Sequence, residues 1–277
     1  MKPTVHILAT VRNPALLDAA LLVFRTLRTG FPTARVQVWG NGLSAAHCHV
    51  LEIASAGRGC EFHNLPDTFH DAWIAGLIAT QNEPFWICDT DIVFFESVEA
   101  WPDSTFRNPQ SALPFAGRYE PEFDEPWTQT LHVARLHTCL MWIDPAQTRV
   151  AQREVFNRIP EPWRGTANFP LVEMSFIPTL APAPSQRGML CYDTMAGLYQ
   201  AGYGRSFTAL QNAAFEHLHC ATYADLAGPH LGNGRMQEMH RRVYADPQSA
   251  RGLYAQQLAY YASRPPHVTP KENPCPT

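Results

Sequence analysis

The chain has 277 residues, 45% of them hydrophobic and 17% charged, with a formal net charge of -4 and a pI near 6.3. That length and apolar share fit one large α/β domain or two small ones and argue against a disordered chain. The missing basic excess argues against a nucleic-acid or broad anionic-membrane footprint, and seven widely spaced cysteines without a C-x-x-C pair fit neither a zinc ribbon nor a disulfide framework and favour a reducing compartment.

"TVHILAT" (4–10) is a short apolar run rich in β-branched residues, which predicts a buried strand. This N-terminal stretch is interrupted by Pro3, Arg12, Asn13 and Pro14, so it lacks the continuous apolar region of a signal peptide. No stretch reaches the roughly 18 apolar residues of a membrane span. The expectation is a cytoplasmic protein without a transmembrane segment; peripheral membrane contact stays open. "NPALLDAALLVFRTLRTG" (13–30) predicts a helix with Asn13 as cap, Pro14 in the first turn and Gly30 at the end. "ARVQVWG" (34–40) reads as a second strand, 44–57 as a second helix ended by Gly57, "CEFHNL" (60–65) as a weaker third strand, and "DTFHDAWIAGLIATQ" (67–81) as a third helix capped by Asp67. "PFWIC" (84–88) is the fourth strand. Strands and helices alternating through short loops predict right-handed βαβ units on a parallel sheet. Ligands of such sheets bind outside the carboxyl ends of the strands, here Thr10-Val11-Arg12, Trp39 to Gly42, His63 to Pro66 and Asp89-Thr90-Asp91.

Past residue 100 the pattern changes. "ALPFAG" (112–117) and "LHVARLHTCLMWID" (131–144) read as strands around an acidic, turn-rich stretch at 118–127. Arg135 and His137 share one face of the second, which either lines an acceptor side or is solvated. Pro145 opens a helix to about Arg158, and the proline-rich stretch 159–188 has no clear period. A helix is expected at 188–201, a strand at 204–209 and helices at 235–245 and 247–262; 263–277 reads as an irregular tail.

The fourth strand ends in Asp89-Thr90-Asp91, and an unpaired buried carboxylate is costly, so something must sit opposite the pair. Here the sequence resembles the D-x-D signature of GT-A nucleotide-sugar glycosyltransferases. The resemblance implies a GT-A-like Rossmann-type open mixed sheet flanked by helices in a single compact domain. Residues 1–100 would form the donor-binding half and 101–262 the half that completes the acceptor and metal sites. It also implies that Asp89 and Asp91 bind Mn²⁺ or Mg²⁺, which holds the diphosphate of a nucleoside-diphosphate sugar. Few protein oxygens and several phosphate oxygens are what such cations take. The plain alternative is a turn cap at Asp89 and a solvated Asp91.

Other residues follow by order along the chain. "FEHLHCATY" (215–223) carries His217 and His219, placed on one face by strand alternation. Many GT-A enzymes supply a third metal ligand, often His, from such a segment; His219 is preferred, and a hydrogen-bonding role is the alternative. Asp193 in "GMLCYDTMAGLYQAGY" (188–203) matches the general base of inverting GT-A enzymes, with Glu173 as the other candidate and a helix N-cap as the alternative. Thr10, Val11, Arg12, Asn41, Asp89 and Thr90 are the expected nucleotide contacts, although the second strand ends "VWGNG" rather than in the common aspartate pair. The Trp- and Pro-bearing "PWTQ" (126–129) and "PEPWRGTANFP" (160–170) suit sugar stacking. The expected activity is glycosyl transfer to a carbohydrate, lipid or protein acceptor, inverting rather than retaining. The rivals are a sugar-1-phosphate nucleotidyltransferase, which "ATVRNPALL" disfavours for want of a glycine-rich loop, and a catalytically silent binding module.

Overall fold

The computed structural model describes residues 2–11, 14–102, 107–108, 111–125, 130–158, 175–178 and 189–217. In chain order, β1 (Thr4–Ala9), α1 (Pro14–Gly30), β2 (Arg35–Asn41), α2 (Ala45–Ala56), β3 (Glu61–Leu65), α3 (His70–Thr80) and β4 (Phe85–Cys88) alternate. After a turn come β5 (Ile92–Phe94), β6 (Arg107–Asn108), β7 (Ser111–Ala112), β8 (Phe115–Glu120), β9 (Phe123–Glu125), β10 (Thr130–His132), β11 (Arg135–Ile143) and α4 (Pro145–Arg158). The remaining elements are β12 (Ser175–Pro178), β13 (Met189–Tyr192), α5 (Ala196–Gln200), β14 (Arg205–Ser206), α6 (Ala209–Ala213) and β15 (Phe215–His217).

The main sheet has the order β14-β8-β11-β4-β1-β2-β3. β1 runs parallel to β2 and β4, and β2 parallel to β3. β11 is antiparallel to both β4 and β8, so the sheet is open and mixed, flanked by helices, and of Rossmann type. β2 and β3 extend the sheet on one side of β1, and β4 lies on the other. The chain order therefore reverses between β1 and β4, the place where an open α/β sheet leaves a crevice for ligands.

Both faces of the central strands are covered. Val5, Ile7, Trp86 and Cys88 pack with Phe24 and Leu27 of α1 and Leu51 of α2. Leu8, Phe85 and Ile87 pack with Trp73, Ile74 and Leu77 of α3 and Val155 of α4. Strands buried on two faces need apolar residues at every position, which is why β4 reads as an unbroken apolar run. Gly30 closes α1 because a Cβ there would lie 2.5 Å from the Phe94 ring, which packs across the helix end.

Element starts differ in informative places. α2 begins after Ser44, whose hydroxyl accepts the His47 N–H, within the expected 44–57. α3 begins at His70 rather than after Asp67. The Asn41 side chain accepts the Thr68 N–H and donates to the Thr68 carbonyl, both at 2.8 Å, so residues 66–69 are tied to the end of β2 and cannot coil. Gly42, at φ +59, lets that turn pass Asp67 closely; a Cβ would lie 3.1 Å from Asp67 Cβ. The expected strands 112–117 and 131–144 appear as β8 and β11, with β10 ahead of the latter.

The expected helix 188–201 is overturned. Residues 189–192 form β13, paired with β12 and β10, and only Ala196–Gln200 is helical. Met195 has φ 65, a left-handed conformation that no continuous helix contains. Likewise 204–209 holds only the short strand β14 before α6, and β12 lies inside the stretch read as irregular. The expected helices 235–245 and 247–262 and the tail lie outside the described residues. No described helix is long and apolar enough to cross a membrane.

Candidate functional site

The turn Asp89–Asp91 leaves β4 at the crevice between β1 and β4. Its backbone is held by β11, where the Cys139 carbonyl accepts the Asp89 N–H at 2.8 Å. β5 then runs antiparallel to β15, with His217 opposite Ile92. That pairing carries an imidazole from far along the chain onto the turn. His217 Nε2 lies 3.0 Å from Asp91 Oδ1 and 3.9 Å from Asp89 Oδ2. Asp91 is 4% exposed and His217 8%, so the pair is withdrawn from water. Burial works against the imidazolium of His217, but Asp91 and then Asp89 outweigh it and raise its pKa.

A second imidazole approaches from α3. His70 Nε2 lies 3.6 Å from Asp89 Oδ1. Burial opposes its charge, while Asp89, and more weakly Asp193 and Asp71, raise its pKa. Asp193 Oδ2 pairs with Arg135 Nη2 at 3.1 Å, and Arg135 Nη2 also meets Glu120 Oε2 at 2.8 Å. Glu120 Oε2 is 3.9 Å from His137 Nε2, and the His137 and His217 rings are 4.8 Å apart. A polar band thus runs from Asp193 through Arg135, Glu120 and His137 to His217 and Asp91. Burial is the largest influence on Glu120 and raises its carboxyl pKa; Arg135 pulls it down and Asp193 raises it, with a net rise.

Asp89, Asp91 and His217 each offer one ligand atom, and these atoms lie within 4.8 Å of one another. Two carboxylate oxygens and an imidazole nitrogen fit a divalent first-row cation such as Mn²⁺, and suit Mg²⁺ less because of the nitrogen.

The other residues singled out in the sequence fall as follows. Thr10 is half-buried, and its hydroxyl accepts from Asn41 Nδ2 at 3.2 Å. Asn41 is 3% exposed and its amide is engaged with Thr10 and Thr68, so it ties the ends of β1 and β2 to the loop before α3. Val11 and Thr90 are buried. Asp193 does not cap α5: Met195 holds that position, while Asp193 Oδ1 accepts the Thr194 N–H at 2.8 Å. Arg135 is buried in its ion pairs rather than solvated. Arg12, Glu173, His219 and the stretches 126–129 and 160–170 lie outside the described residues.

Sequence reasoning missed His70, Glu120 and Cys139. The acidic stretch 118–127 contained Glu120 but read as a loop, and His70 stood near the third strand end inside a predicted helix. No local pattern marks Cys139, which joins the site through strand pairing.

No family model and no curated protein matches the chain. Several solved structures do. WbbM, a bifunctional glycosyltransferase, is 9% identical at a TM-score of 0.37, covering 56% of this chain and 33% of that one. The glycosyltransferase GlyE of Streptococcus pneumoniae TIGR4 is 8% identical at 0.45, covering 93% and 64%. The galactosyltransferase LgtC, in complex with donor and acceptor sugar analogues, is 9% identical at 0.42, covering 91% and 95%. The chain therefore spans less than two thirds of the length of the first two.

Proposed function

We propose that this chain is a GT-A-type glycosyltransferase that moves a sugar from a nucleoside-diphosphate sugar to an acceptor hydroxyl. Asp89, Asp91 and His217 would hold Mn²⁺ or Mg²⁺. The observation that carries the reading is the 3.0 Å approach of His217 to Asp91 at the switch point of the sheet. An apolar strand that ends in two carboxylates and is met there by a remote imidazole has the donor set of a cation site. A divalent cation, when bound, offsets the negative charge of a leaving diphosphate.

The chain's own residues divide the remaining work. His70 steadies Asp89, and the Asn41–Thr68 clamp holds the loop that delivers His70. Thr10, at the end of β1, lines the donor side. Asp193, oriented by Arg135 and by the Thr194 N–H, takes the proton of the acceptor hydroxyl in an inverting single displacement. Glu120 shares Arg135 and balances its charge.

The test is a thermal-shift series of nucleoside diphosphates with and without Mn²⁺. A ligand binding only the folded state stabilises it by about 2.7 kcal/mol at one hundred times its Kd. The expected result is a shift that needs nucleotide and cation together and disappears in Asp91→Asn; an unchanged shift in that variant removes the cation assignment. Asp193→Asn should keep the shift and lose roughly 10²–10⁴-fold in turnover. Full turnover in Asp193→Asn ends the general-base role. Binding without turnover for every donor in the wild type makes the chain a binding module.

A further inference from the structure

His217 belongs to two ligand sets of different chemistry. One holds the carboxylates of Asp89 and Asp91. The other comes from an irregular part of β11, whose register with β8 jumps from His137↔Arg118 to Met141↔Gly117. Cys139 lies within that jump, fully buried, and its carbonyl is fastened to the Asp89 N–H. His137, Cys139 and His217 each offer a ligand atom, all within 4.8 Å of one another. The His137 and His217 rings are inclined at 57°.

We propose that His137, Cys139 and His217 form a second cation site, selective for thiophilic divalent ions such as Zn²⁺, which competes with the Asp89–Asp91 set for the His217 imidazole. The selectivity follows from the donors. A thiolate and two imidazoles suit Zn²⁺ and Co²⁺, whereas carboxylate oxygens suit Mg²⁺ and Mn²⁺. His217 belongs to both sets, and a neutral imidazole offers one unprotonated nitrogen, so an ion in the thiolate set withdraws that ligand from the carboxylate set.

A coordinating thiol is deprotonated outright, so each ion bound here releases the Cys139 proton to solvent as the S–H bond is exchanged for an S–metal bond. His137 Nδ1 accepts the Cys139 N–H at 3.0 Å, and ligation gives up that bond through either nitrogen, because an Nε2 ligand moves the ring proton onto Nδ1. One hydrogen bond is small beside the ligand bonds of a thiolate–imidazole set.

Co²⁺ is the probe, because a cobalt–thiolate bond adds a near-ultraviolet charge-transfer absorption that oxygen and imidazole ligands lack. The wild-type protein titrated with Co²⁺ should show that band, Asp91→Asn should keep it, and Cys139→Ser should lose it. Zn²⁺ should displace Mn²⁺, read by electron paramagnetic resonance, at least tenfold less effectively from Cys139→Ser than from the wild type. Cys139→Ala serves if the serine variant does not fold. A band that survives in Cys139→Ser places the thiolate at another cysteine and overturns the proposal. Co²⁺ binding without the band, abolished by Asp91→Asn, overturns it too, while leaving the carboxylate site and the glycosyl-transfer reading intact.

Discussion

His6 and His217 are both buried, and their neighbours drive them in opposite directions. His217 faces carboxylates and its pKa rises. His6 is fully buried, with Nδ1 accepting from Trp39 Nε1 at 3.2 Å, and burial, with repulsion from His63 and Arg35, lowers its pKa to about 4. The folded state therefore holds His6 neutral, while an unfolded histidine titrates near 6.5. Stability linked to His6 is present above that value and is lost as pH falls from about 6.5 toward 4, by at most about 3 kcal/mol. Urea unfolding at pH 7 and pH 4.5 should show a smaller loss of stability in His6→Leu than in the wild type. Equal losses would show that His6 is not buried neutral. The same residue scale shows what sequence makes legible. Asp89 and Asp91 stand out because two charges end an apolar run. His6 does not, because an imidazole inside a strand has no local sign of its partner.

β15 illustrates how an element places a candidate ligand. Its pairing with β5 is short, so side-chain packing must hold it. Phe215 is 3% exposed, and its ring meets Phe207 edge-on at 6.2 Å; Phe207 in turn packs against Trp101 and Trp86. Phe215→Ala should cost about 3–5 kcal/mol by leaving a cavity. It should also weaken Mn²⁺ binding, because His217 is two residues along the same strand. Denaturant unfolding and Mn²⁺ titration separate the two effects; lost stability with unchanged Mn²⁺ affinity would show that β15 does not position the ligand. The segment 188–201 marks the limit of reading elements locally. "MLCY" and "AGLYQ" are both apolar enough for either period, and pairing with β12 and β10 decides that the first is strand. Tertiary pairing overrides such an ambiguous pattern.

At the scale of the molecule, the crevice between β1 and β4 gathers residues from α3, β4, β8, β11, β15 and the turn before α5. The succession of the first four strands along the chain, their parallel sense and the placement of Asp89 and Asp91 at a carboxyl end were determined by the sequence itself; their order β4-β1-β2-β3 in the sheet came from the structure. Hydrophobic period, apolar continuity and short loops are local properties, and right-handed crossovers leave few topologies for them. Only the tertiary structure decided that His217 meets Asp91, that Glu120 and Asp193 share Arg135, and that Cys139 and His137 come within ligand distance of the same imidazole. These contacts join separate elements: β15 meets the turn after β4, and β11 meets β8, the turn before α5 and β15. The register of paired strands is set by how the whole sheet packs, and a shift of one residue in β8 or β15 would turn Glu120 or His217 to the other face.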